Sequence, residues 1–150
     1  MKFADFHVGQ WIEAGPYVLG EAELLRFAQA YDPQWFHTDA AAAGEGPFGG
    51  LIASGWHTCA IAMRLVADSA LAGSESFASP GLKYVKWPQP VRPGDALRLR
   101  AEVRDVRVSA KRSSLGILDW RWQLFNQHAI CVLDLEATSL FKLPPVGGKA

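Results

Sequence analysis

The 150-residue chain carries 15 basic and 15 acidic side chains, so its formal charge is zero, and 49% of it is hydrophobic. That balance excludes a general electrostatic attraction to nucleic acid or to an anionic membrane surface, and points instead to a small neutral or locally anionic ligand. The length suits one domain, residues 1–150, with a single core, and no apolar run is long enough to span a bilayer.

At the start, MKFADFHVGQW lacks the long apolar stretch of a signal peptide, so the expected address is the cytoplasm. Gln10 to Val18 reads as a short strand interrupted by Gly15 and Pro16, which suits a sheet edge or a bend. In the next segment, GEAELLRFAQAY, Leu24, Phe27, Ala28 and Tyr31 fall at helical spacing, with Glu21 and Glu23 in the first turn where the helix dipole favours anions. Asp32-Pro33 ends this helix, because proline biases its predecessor away from helical geometry and has no N–H to donate.

The glycine-rich connection GEGPFGG leads to a second helix, SGWHTCAIAMRLVAD, with Ser54 as its N-cap candidate. From Trp56 to Ala67 its strongly polar side chains are His57, Thr58 and Arg64 alone, so it is expected to be enclosed on most sides. Four strands follow: LKYVKW, ALRLRAEVRDVRV, SSLGILDWRWQLF and HAICVLDLEATSLFKL. In the second of them Leu97, Leu99, Ala101 and Val103 alternate with charged residues, and the parity changes before Val106, which predicts a β-bulge near Arg104-Asp105. The last places Cys131, Leu133, Leu135 and Ala137 on one face and Val132, Asp134, Glu136 and Thr138 on the other. PVRPGD and FNQHA read as turns between antiparallel neighbours, and VGGKA at the end is expected to fray. Cys59 and Cys131 lie in apolar runs without metal-ligand spacing and are expected to be buried free thiols. The sum is an α+β arrangement, an antiparallel sheet curled around a central apolar helix.

Three segments in succession, YDPQWFHTD, FGGLIASGWHT and KWPQPVRPGD, resemble the MaoC-like dehydratases, or R-specific enoyl-CoA hydratases. The resemblance implies a hot-dog fold, a homodimer or higher homo-oligomer, and hydration of trans-2-enoyl thioesters of coenzyme A or an acyl carrier protein. It also implies acid–base chemistry by an aspartate and a histidine five positions later, here Asp32 and His37. The common motif D-x-N-P-x-H is altered, with Gln34 and Trp35 at its centre and the proline moved to Pro33, and Met63 aligns with a serine that enzymes of the group can carry.

Hydrating an unsaturated thioester requires a base for the attacking water, an acid for Cα and donors for the enolate oxygen. If the chain turns back at Pro33, Asp32 and His37 can face one water, an imidazole exchanging protons near neutrality. The competing reading has Asp32 satisfying backbone donors at a helix end and His37 packing beside Trp35. Gly55 is the candidate oxyanion donor: it opens the apolar helix with a free N–H, and the lack of a Cβ would let a thioester carbonyl approach. Ser54 and His57 flank it and are candidates for polar contact with substrate, Ser54 chiefly as a cap. Trp35, Phe36 and Trp56 are candidates to line the acyl pocket. Lys111 and Arg112 could meet coenzyme A phosphates, although a solvated turn is the plainer reading. A metal site from Asp32, His37 and His57 is disfavoured, since the scatter matches no ligand spacing. The expected activity is therefore a hydro-lyase without metal or redox cofactor, the carrier entering as part of the substrate, with no nucleic-acid or membrane partner. Acyl-CoA thioester hydrolysis and a non-catalytic acyl-CoA-binding module are the alternatives.

Overall fold

The computed structural model describes residues 1–145, so the expected fraying of VGGKA lies outside the described residues. After a short turn at Phe3–Asp5, strand β1 (Trp11–Val18) forms one edge of a five-stranded antiparallel sheet. It pairs with β3 (Ala96–Val108), and the register shifts between Ala14 and Tyr17, where the sequence placed its interruption. Gly15 is required there: its φ is +106°, and a Cβ would lie 2.7 Å from the Leu97 carbonyl oxygen.

Helix α1 (Glu21–Tyr31) buries Leu24 and Ala28 and half-buries Phe27, but Tyr31 is exposed. The expected stripe thus stops one turn early, because the last turn of α1 runs past the core. Asp32 follows outside helical geometry, its N–H donating to the Ala28 carbonyl at 2.8 Å. Two short helices then occur that periodicity does not announce, α2 (Trp35–Thr38) and α3 (Ala40–Gly44), the second capped by Asp39 through the Ala42 N–H at 3.0 Å. A single turn is too short to display a period.

Helix α4 (Gly55–Val66) continues into a π-helical turn at Ala67–Leu71. It buries His57, Thr58, Ile61, Ala62 and Val66, while Trp56, Met63 and Arg64 are exposed. The expected enclosure on most sides is therefore corrected to one side within the chain: a single sheet can cover only the face turned toward it. The remaining strands are β2 (Ser76–Lys86), β4 (Leu115–Phe125) and β5 (Cys131–Lys142), and the sheet order is β1-β3-β4-β5-β2. Strand β2 begins six residues before the expected LKYVKW segment; SFASPG hides its period behind a proline and a glycine.

The concave face of the sheet supplies Leu97, Leu99, Ala101 and Val103 from β3, Leu118, Trp120, Trp122 and Leu124 from β4, and Leu133, Leu135, Ala137 and Phe141 from β5. The β3–β4 register shifts between Val103 and Asp105, the bulge read from the parity change. Val132 departs from its expected outer face and is fully buried. Leu124 pairs with Leu133 and Phe125 with Cys131, so Val132 is an extra residue in the ladder and turns inward. Cys59 and Cys131 are free, but half-buried rather than buried, because each lies near the margin of its element's apolar face. This five-stranded sheet lying on α4 is the hot-dog arrangement expected from the sequence.

Candidate active site

Pro33 and the one-turn α2 fold the chain back, so that His37 returns beside Asp32. The Nε2 of His37 lies 3.3 Å from Asp32 Oδ2, and the ring is buried. Its Nδ1 lies 2.7 Å from the Ile52 carbonyl oxygen. A carbonyl only accepts, so Nδ1 carries the hydrogen, and in the neutral ring the Nε2 lone pair faces the carboxylate. Two acceptors facing each other need a shared proton or a molecule that donates to both. The Gln34 side-chain amide donates to Asp32 Oδ1 at 2.6 Å. This bond, above all, holds the Asp32 carboxyl below the usual carboxylate range; desolvation opposes it, and the neighbouring His37 acts in the same direction as Gln34.

Asp32 and His37 open into a cavity of about 550 Å³ whose walls include Phe48, Gly55, Trp56, Trp87, Pro90 and Val132. The helix α4 starts at this cavity. His57 and Thr58 donate their backbone N–H groups to the Ser54 carbonyl, whereas the N–H groups of Gly55 and Trp56 meet no acceptor among the described residues. They form the positive end of the helix, and both residues line the same cavity as Asp32 and His37. A second depression of about 790 Å³ lies over the β1 interruption, at the other edge of the sheet, and neither Asp32 nor His37 lines it.

The comparisons with known proteins bear on this arrangement. A family model described as the MaoC like domain matches residues 5–117. The chain belongs to the MaoC-like dehydratase family.

Among MaoC-like relatives, the uncharacterized protein YdeM of Bacillus subtilis is 33% identical over 142 residues, 95% of this chain and 99% of that one. The crystal structure of the MaoC-like dehydratase from Rhodospirillum rubrum superposes with a TM-score of 0.87 at 34% identity, covering 95% of this chain and 97% of the other. An (R)-hydratase from A. caviae involved in PHA biosynthesis superposes at 0.74 with 26% identity, covering 93% and 98% of the two chains.

Within this MaoC-like domain, Asp32, His37, Gly55 and Trp56 come together around one cavity, as the sequence predicted. The other candidates are placed differently. Trp35 and Phe36 do not line the cavity: they pack edge-on to each other at 5.5 Å, and the Phe36 ring lies 4.3 Å from that of His37, so they buttress the histidine from behind. The reason is that α2 turns only one side inward, and His37 occupies it. His57 points the other way, stacking on Phe27 at 4.4 Å and approaching Glu23 at 3.7 Å, while Glu23 also accepts from the Tyr17 hydroxyl. Burial lowers the His57 pKa, with Glu23 pulling against that effect. Asp32, His37 and His57 therefore do not converge as a metal site would need.

Ser54 precedes α4, but its hydroxyl makes no capping bond and is buried without a hydrogen-bond partner; the main-chain carbonyl serves the helix start instead. Lys111 and Arg112 lie in the β3–β4 turn, near the Leu115–Lys142 pairing, whereas the cavity sits at the Val132 end of β5. The length of the sheet separates them from the site in this chain. Sequence reasoning missed Phe48, Val132 and, above all, Trp87. The signal for Trp87 was present in KWPQP, where two prolines stiffen the segment that follows the strand.

Proposed function

We propose that the protein adds water reversibly to trans-2-enoyl thioesters, giving 3-hydroxyacyl thioesters. The observation that carries the reading is Asp32 Oδ2 at 3.3 Å from His37 Nε2, in a cavity that also holds the free N–H groups at the start of α4. The thioester carbonyl lies against the Gly55 N–H, which takes up negative charge as the enolate develops. A water bound by both Asp32 and His37 faces Cβ. Its oxygen bonds to Cβ as the C=C π bond breaks, its proton passes to His37 Nε2, and a proton is delivered from the pair to Cα. An imidazole accepts protons near neutrality, whereas a carboxylate held below its usual range does so poorly. Asp32 accordingly orients the water and stabilises the imidazolium. Net, one water is added, and neither metal nor redox cofactor is required; coenzyme A or an acyl carrier enters as part of the substrate.

The family membership and the (R)-hydratase likeness support this reading, including the R configuration of the product. The proposal extends to a cytoplasmic homodimer. Its support is the unpaired outer side of β2, where Phe77 and Leu82 are exposed. No helix among the described residues is long and apolar enough to cross a membrane.

Hydration of crotonyl-CoA and longer enoyl-CoAs, followed by loss of the enoyl absorbance, tests the activity. Asp32→Asn and His37→Ala should each lower kcat/KM by about 10² to 10⁴-fold, the usual contribution of a placed proton-transfer group. Equal rates in all three proteins overturn the assignment, and release of free thiol without hydration would mark a thioesterase instead.

A further inference from the structure

We propose that Trp87 is a positioning residue for this reaction, holding the first turn of α4 so that the Gly55 and Trp56 N–H groups stay aimed at the thioester oxygen. This rests on the hydratase reading of the site. Strand β2 ends at Lys86, and Trp87 follows it, backed by Pro88 and Pro90. Its indole N–H donates to the Gly55 carbonyl at 2.9 Å. The indole occupies the place where a side chain at position 55 would begin: a Cβ on Gly55 would stand 2.6 to 2.9 Å from Cε2, Nε1 and Cζ2 of Trp87. Such separations are closer than packed atoms tolerate, so a side chain at 55 would displace the indole that glycine leaves in place.

That observation changes the reason for the glycine. From the sequence, Gly55 lacked a Cβ so that substrate could approach; in the structure the space beside it is taken by Trp87. The contact continues along the helix: Trp56 meets the same indole edge-on at 5.7 Å. A donor for an oxyanion works only if it is held in place before the charge develops, and a displacement of about 1 Å costs of the order of 10²-fold in rate. The first turn of a helix lacks the internal hydrogen bonds that fix later turns, and tends to fray. A hydrogen bond to the carbonyl of its first residue, together with a ring laid on the Cα, supplies that constraint from a different part of the sheet.

The experiment is a double-mutant cycle in the full chain, with Trp87→Phe, Trp87→Ala, Gly55→Ala and Gly55→Ala/Trp87→Ala, read by crotonyl-CoA hydration and by melting temperature. Trp87→Phe keeps a ring and loses the N–H; it should lower kcat about tenfold with KM within about twofold, as expected for a group acting on the transition state through the oxyanion donors. Gly55→Ala should lower both kcat and melting temperature in the parent. In the Trp87→Ala background, where the clash is gone and the constraint already lost, the same change should lower kcat no further and should leave the melting temperature unchanged or raised, since alanine is the better helix residue. A further loss of kcat on adding Gly55→Ala to Trp87→Ala equal to its loss in the parent, or an unaltered kcat in Trp87→Phe, overturns the proposal. If the parent hydrates no enoyl-CoA, the hydratase reading fails by itself. The pinning is then judged from the melting temperatures, where strictly additive losses would refute it.

Discussion

Gln34 sets the charge of Asp32 more than any other neighbour, although in the motif it is a departure from the family's asparagine. Its amide at 2.6 Å from Asp32 Oδ1 favours the ionised carboxyl. Because the native pKa is lowered, the carboxylate persists to lower pH than an ordinary aspartate, and the contribution of its ionised form is lost only as the pH falls through that depressed value. Gln34→Leu removes the donor, so the Asp32 carboxyl should titrate at higher pH than in the parent, while activity near neutrality changes less than in Asp32→Asn. Titration of the Asp32 carboxyl by NMR in the two proteins checks this; an unmoved titration would show that Gln34 does not hold it down. At this scale the approach of Asp32 and His37 was legible in the sequence, since five residues and a proline suffice to bring two side chains back together. The roles of Gln34 and Trp87 were not, because a hydrogen bond to a particular oxygen depends on rotamers that spacing does not encode.

The helix α4 shows how much an element's pattern can and cannot say. Its apolar composition identified it as the core helix, and Ile61, with 2% of its surface exposed, sits against the sheet. Ile61→Ala should therefore cost about 2 to 5 kcal/mol, the range for truncating a buried aliphatic side chain. Arg64 lies on the exposed face, bonded only to Asp68 one turn on, and Arg64→Ala should change stability by no more than about 0.5 kcal/mol. Urea unfolding of the two variants measures both; comparable losses would mean that the helix is oriented differently. Periodicity also located β3 and its bulge, because a change of parity is a property of the chain itself. It failed for α2 and α3, which are too short, and at Val132, whose inward turn is forced by pairing with β4 rather than by its neighbours in sequence.

On the scale of the molecule, β1 and β2 are the two edges of the sheet, and β2 leaves its outer side without a partner strand among the described residues. The proposed dimer would cover that edge, where Phe77 and Leu82 are exposed, and light scattering should give twice the chain mass for the parent. Leu82→Lys together with Phe77→Lys should yield a monomer, since charge on both residues opposes their burial; a parent of single-chain mass removes the dimer. What the sequence determined alone was the longer elements, that is helix α1, the core helix and the sheet strands, and the pairing of Asp32 with His37, all of which follow from local periodicity and short spacing. Only the tertiary structure decided which aromatic rings face the cavity, why residue 55 is glycine, and that His57 serves α1 rather than the site. Those outcomes depend on residues distant in the chain, Gly55 against Trp87 and His57 against Glu23, and no local pattern carries the position of a partner thirty residues away.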